Sequence, residues 1–107
     1  MGKLDGRNAL ITGASRGIGA GIAQAFAAEG ANVVINYPDE SERPNAEAVI
    51  ARLGGVKAAA VQADIAEEPQ VTTLVESSLS FLGRIDILVN NAGIAPGMLI
   101  EDTPTEV

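Results

Sequence analysis

The sequence has no cysteine and no histidine among its 107 residues. Their absence excludes disulfides, thiol nucleophiles, zinc sites of the usual ligand types and Ser-His-Asp triads together, leaving only carboxylate, hydroxyl, lysine and arginine chemistry. No metal site is expected. Aromatic residues are scarce, 3% of a chain that is 47% hydrophobic, so any core must be built from Ala, Val, Ile and Leu. Basic residues are outnumbered, 7 against 14 acidic ones, for a formal charge of −7. Such a chain repels polyanions, and no Lys/Arg cluster reverses the field locally, so nucleic acid is not an expected partner. No apolar run is long enough to span a bilayer, and the residues from Met1 to Arg7 form no signal-peptide pattern. The expectation is a cytoplasmic protein without a membrane partner.

What is present alternates. Asn8 to Thr12 is a short apolar run that ends at a glycine turn, after which Ile18, Ile22 and Phe26 are spaced as on a helix that Gly30 stops. Asn32 to Tyr37 contains Val33-Val34-Ile35, apolar on both faces as buried parallel strands are. A helix from Pro44 carries Ala46, Val49, Ile50 and Leu53 on one face until Gly54-Gly55. Ala58 to Gln62 reads as a weaker strand, alanine being a poor strand former. Glu67-Glu68-Pro69 opens a third helix whose stripe is Val71, Leu74, Val75, Leu79 and Leu82, and Ile85 to Asn90 is another buried strand.

Strands and helices in strict alternation with short connections force parallel strands joined by right-handed crossovers. The fold class is therefore α/β, a doubly wound, Rossmann-like parallel sheet of about four strands and three helices. Residues 1–107 read as a single domain. Thr103-Pro104-Thr105-Glu106 has the form of a helix start, with Thr103 as cap, Pro104 at the first helical position and Glu106 completing a capping box. The chain ends one residue later, so the domain is read as incomplete, cut near Thr103.

The chemistry is concentrated between the first strand and first helix, in Thr12-Gly13-Ala14-Ser15-Arg16-Gly17-Ile18-Gly19. Glycines there allow a sharp turn and close approach of backbone to ligand, and the free N–H groups and dipole of a helix start hold a pyrophosphate. The spacing is neither G-x-G-x-x-G nor a P-loop. It is T-G-x-x-x-G-x-G, and with Asp64-Ile65 after the third strand, the strand Asp86-Ile87-Leu88-Val89, and Asn90-Asn91-Ala92-Gly93 after it, the sequence resembles the short-chain dehydrogenase/reductase family over essentially its whole length.

The resemblance implies the N-terminal, cofactor-binding portion of an oxidoreductase that interconverts an alcohol and a carbonyl by hydride transfer. It implies that Gly13, Ser15, Gly17, Ile18 and Gly19 line the pyrophosphate, with Arg16 beside them in the same loop, that Asp64 and Ile65 meet the adenine, and that Asn91, Ala92 and Gly93 pass the ribose. An ionised carboxylate at Asp64 can only accept, as the adenine amine requires; a cap for the third helix is the plainer use of the same residue. Relatives that prefer NAD carry an acid at the position of Tyr37, which here cannot repel a 2′-phosphate, while Arg16 is placed to bind one. NADP is the expected cofactor. NAD stays possible, because Asp39 is an acid two residues beyond Tyr37 and able to swing back.

The same resemblance points to residues that are not present. The family's proton donor is a tyrosine followed four residues later by lysine; the one tyrosine here is Tyr37, and Ser41 stands four residues after it. No catalytic residue is therefore assigned, and the 107 residues alone are expected to be inactive and, with an apolar last strand at the sheet edge, prone to self-association. A complete protein is expected to take a small alcohol or carbonyl substrate and to form a homo-oligomer. The competing reading is a dinucleotide-binding module without turnover. A methyltransferase, which also has a glycine turn after its first strand, is disfavoured by Asn90-Asn91-Ala92-Gly93.

Overall fold

The computed structural model describes residues 2–91. Four strands, β1 (Asn8–Ile11), β2 (Asn32–Tyr37), β3 (Ala58–Gln62) and β4 (Ile87–Val89), alternate with three helices, α1 (Gly17–Ala28), α2 (Arg43–Ala51) and α3 (Glu68–Leu82). All strand pairs are parallel and the sheet order is β3-β2-β1-β4. The expected doubly wound architecture is thus present, and so is the weakly signalled alanine strand, which gains its place by pairing along the side of β2 from Val33–Ala58 to Tyr37–Gln62. The helix-start pattern at Thr103 lies outside the described residues.

Side chains alternate across the sheet because successive strand residues point to opposite faces. Ile11, Val33 and Ile35 face α1 and α2, packing with Ala20, Ala23, Ala27, Ala46 and Val49, while Leu10, Val34 and Leu88 face the other way onto Leu74 of α3. One face therefore carries two helices and the other carries one.

Two helices are turned relative to the expected stripes. On α1, Ile18 is 77% exposed, Ile22 and Phe26 are half-buried, and the buried residues are Gly19, Ala20, Ala23 and Ala27. The small residues face the sheet because only they let the helix lie close against β1 and the glycine turn; the bulkier side chains flank that contact. On α3, Leu74 is buried as expected, but Leu79 is 42% exposed and Ser78 is fully buried in its place, its hydroxyl donating to the Leu74 carbonyl at 2.8 Å. That bond satisfies the hydroxyl within its own helix, so it can face the apolar layer at little cost. Between β2 and α2 there is also a single 3-10 turn, Glu40–Glu42.

The expected strand boundaries shorten slightly. The run from Ile85 to Asn90 pairs only from Ile87 to Val89. Asp86, just ahead of it, is a buried carboxylate that accepts from the Asn8 backbone N–H at 2.9 Å and meets the Arg84 Nε at 2.8 Å. It fastens the start of β4 to the start of β1.

Candidate functional site

In a parallel sheet every strand ends on the same edge, and the loops there form the crevice where such folds bind ligands. The glycine turn after β1 stands in the middle of that edge, because β1 is flanked by β2 and β4. Gly13 and Gly17 have φ of +61° and +66°, the left-handed region that side-chain-bearing residues avoid. Both are therefore needed for the chain to leave β1 and enter α1 within a few residues.

The turn is fixed by three asparagines. Asn36, buried in β2, accepts from the Gly13 N–H at 3.1 Å and donates to the carbonyls of Ala63 at 2.9 Å and Tyr37 at 3.2 Å. Asn91 donates to the Gly13 carbonyl at 3.0 Å, and Asn90 accepts from the Thr12 hydroxyl at 3.1 Å. The ends of β1, β2, β4 and the segment after β3 are thereby tied to one loop. Asn90 thus ties the end of β4 to the end of β1. Asn91 shares that role, its amide lying beneath Gly19.

Gly19 is where helix and loop approach each other closely. A Cβ built there would lie 2.5 Å from the Gly13 oxygen, 2.6 Å from the Asn91 amide nitrogen and 2.9 Å from the Ala14 Cα. No side chain fits between helix and loop. By contrast, a Cβ on Gly17 would meet nothing within 4 Å, so this glycine faces open space at the mouth of the helix.

The start of α1 has no side-chain cap of its own. Its N-cap, Arg16, makes no side-chain cap bond, and the first turn holds no acid. The first N–H groups of a helix lack intrahelical partners and carry the positive end of the dipole, so an uncapped terminus of this kind suits an anion. A groove of about 340 Å³ runs from there between α1 and α2, lined by Ser15, Arg16, Gly17, Gln24, Asn45 and Arg52, among others.

A carboxylate without a sequence signal lies beside this helix start. Glu42, at the end of the 3-10 turn, accepts from the Ser15 hydroxyl at 3.0 Å and from the Asn45 amide at 3.2 Å, and its other oxygen lies 3.5 Å from Arg16 Nη2. Its side chain is 14% exposed, against 76% for Arg16. The hydrogen bonds from Asn45 and Ser15, helped by the charge of Arg16, hold its pKa below the ordinary 4.5, against opposition from partial burial and from Asp39. Asp39 itself is engaged elsewhere: it caps the 3-10 turn, accepting from the Ser41 N–H and hydroxyl.

The remaining expected residues are more dispersed. Tyr37 is 3% exposed, its ring belonging to the core on the α1/α2 face with the Arg43 guanidinium 5.9 Å from its centroid. Its side chain does not line the crevice. Asp64 follows β3 at the same sheet edge and is exposed; it accepts from the Ala66 N–H at 3.0 Å, and its own N–H donates to Gln70 at 2.7 Å. It thus shapes the turn before α3, whose N-cap is Glu67. Ile65 is half-buried against the α3-side core. Ala92 and Gly93 lie outside the described residues. Among the described residues, no cluster of acids could hold a metal, and no helix is long and apolar enough to cross a membrane.

Comparison with known proteins agrees with this geometry. The family described as short chain dehydrogenase matches residues 7–107. An uncharacterized oxidoreductase of Methylorubrum extorquens is 46% identical across 99% of this chain and 43% of its own length. A 3-oxoacyl-[acyl-carrier-protein] reductase of Synechocystis is 46% identical across 94% of this chain and 40% of its own. Among solved structures, a short chain dehydrogenase from Burkholderia cenocepacia in complex with NADP superposes with a TM-score of 0.81 at 43% identity, over 94% of this chain and 42% of that one. The chain spans roughly two-fifths of the length of these relatives.

Proposed function

The chain belongs to the short-chain dehydrogenase family, and from that premise we propose that it is the NADP(H)-binding portion of an oxidoreductase interconverting an alcohol and a carbonyl. The observation that carries the proposal is the uncapped, acid-free start of α1 behind Gly13 and Gly17, with Arg16 at its mouth. The dinucleotide supplies or accepts the hydride. The N–H groups at Gly17, Ile18 and Gly19 bind its pyrophosphate, as anions bind at helix starts generally. Arg16 receives the 2′-phosphate, a planar guanidinium being suited to phosphate oxygens. Asp64 accepts from the adenine amine with its remaining lone pairs, Ile65 donates its backbone N–H to the ring, and Asn91, Ala92 and Gly93 line the ribose.

The relatives support the same cofactor and chemistry: one is named for reducing a 3-oxoacyl group, and another was solved with NADP. General acid catalysis supplies about a hundredfold to ten-thousandfold, and no Tyr-x-x-x-Lys occurs in the sequence. These residues therefore bind and orient the dinucleotide without protonating the substrate. Calorimetric titration with NADPH and NADH tests the reading. Saturable binding is expected, and Arg16→Ala should weaken NADPH by about 10-fold or more while leaving NADH nearly unchanged. Absence of binding to either dinucleotide, or equal losses for both, would overturn it.

A further inference from the structure

The place assigned to the 2′-phosphate already holds an anion. Glu42 reaches back from the 3-10 turn, the Asp39 cap fixes that turn, and Asn45 on the first turn of α2 donates to the same Glu42 oxygen that Ser15 meets. Its two oxygens engage the Ser15 hydroxyl and the Arg16 guanidinium, the groups of the loop best suited to a phosphate. With only 14% of its side chain exposed, the carboxylate is seated over the loop and does not stand out in solvent.

We propose that Glu42 is a specificity-determining residue, an internal competitor that occupies Ser15 and Arg16 in the absence of a 2′-phosphate and must leave before one can bind. The inference rests on the reading above that the 2′-phosphate goes to Arg16. Two anions cannot share one exposed guanidinium without repulsion, so displacing Glu42 from Arg16 subtracts from the binding of NADPH, whereas NADH brings no phosphate to that guanidinium. The preference for NADPH is therefore narrower than Arg16 alone would give.

The test is calorimetric titration of wild type, Glu42→Gln and Glu42→Ala with NADPH and NADH, and with the fragments 2′,5′-ADP and 5′-AMP. Glutamine keeps the length of the side chain and one acceptor oxygen for Ser15 and Asn45 but removes the charge. Glu42→Gln should tighten NADPH and 2′,5′-ADP by about 10-fold, the scale of a partly exposed charge-assisted contact, with NADH and 5′-AMP changed by less than about 2-fold. In an Arg16→Ala background the same substitution should gain under about 3-fold, because the shared partner is gone. Glu42→Ala, checked by circular dichroism for retained fold, should shift the ratio in the same direction. If wild type binds NADPH but Glu42→Gln leaves the NADPH-to-NADH ratio unchanged or lowers it, the competitor role falls and the cofactor assignment stands. If wild type binds neither dinucleotide, both fall.

Discussion

Gly19 and Gly21 lie two residues apart on α1, and substituting alanine at each should move stability in opposite directions. Alanine in a helix interior gains about 0.5–1 kcal/mol over glycine, because less backbone freedom is lost on folding. At Gly21 a Cβ meets nothing within 4 Å, so Gly21→Ala should realise that gain and raise Tm by roughly 2–8 °C for a domain of this size. At Gly19 the new carbon would be 2.5 Å from the Gly13 oxygen and 2.9 Å from the Ala14 Cα, both backbone atoms that cannot rotate away. Overpacking of that kind costs about 1–3 kcal/mol. Displacing the Asn91 amide, 2.6 Å from the same carbon, removes a further hydrogen bond of about 1 kcal/mol. After the propensity gain is subtracted, Gly19→Ala should lose about 1–3 kcal/mol. On the proposed placement of the pyrophosphate it should also weaken NADPH by about 10-fold or more, since helix and loop can no longer keep their spacing there. Urea and thermal denaturation with paired NADPH titrations measure both quantities. A Gly19→Ala protein as stable as wild type, with unchanged affinity, would refute the claim that this glycine sets the distance between α1 and the loop.

Other expectations follow from the polar ties. Asn36→Leu removes the partner of the Gly13 N–H and of the Ala63 carbonyl inside the sheet edge, and should cost about 2–4 kcal/mol in urea denaturation. Asp86→Ala strands the buried Asn8 N–H and should cost about 1–3 kcal/mol by the same measurement. Glu29, Glu40 and Glu42 all have pKa values held below the ordinary 4.5, chiefly by hydrogen bonds from the Lys3 backbone N–H, Arg43 and Asn45 respectively. Carboxyls lowered in the folded state bind protons more readily when unfolded, so their contribution is complete above 4.5 and is lost as pH falls through the folded values. Urea midpoints should therefore be insensitive to these groups from neutral pH down to about 5 and then decline, and Glu42→Gln should decline less steeply than wild type.

How far the sequence was legible depended on whether its signals were local. Val33-Val34-Ile35 and Ile85 to Asn90 announce buried strands by composition, and the alternation of elements orders them without further information. The glycine turn was equally plain, because positive φ at Gly13 and Gly17 can be met cheaply only by glycine. The helix faces were less legible, since a search for stripes favours bulk. On α1 the face that packs is the one with least bulk, and on α3 Ser78 hides its polarity by bonding within its own helix. Asn36 had a visible signal that was passed over, a polar residue inside an apolar strand. Glu42 had none: its position over Ser15 follows from a 3-10 turn whose direction neither periodicity nor motif encodes. Tyr37, at the position where relatives that prefer NAD carry an acid, turns its ring into the core because the alternation of β2 puts it on the same face as Val33 and Ile35.

The central position of β1 also sets an order of assembly. Its pairing with β2 joins Ala9 to Val33, but its pairing with β4 joins Ala9 to Ile87, across most of the described chain. Contacts of such long separation form slowly, because loop-closure entropy must be met before they contribute. Asn90 and Asn91 reach Thr12 and Gly13 only when that last strand docks. During synthesis the ribosome releases the glycine turn early, yet the turn stays unlocked until residues nearly eighty positions later have emerged and β4 has paired with β1. Acquisition of dinucleotide affinity should therefore lag behind formation of helix in a refolding experiment, making the cofactor a reporter of β4 docking.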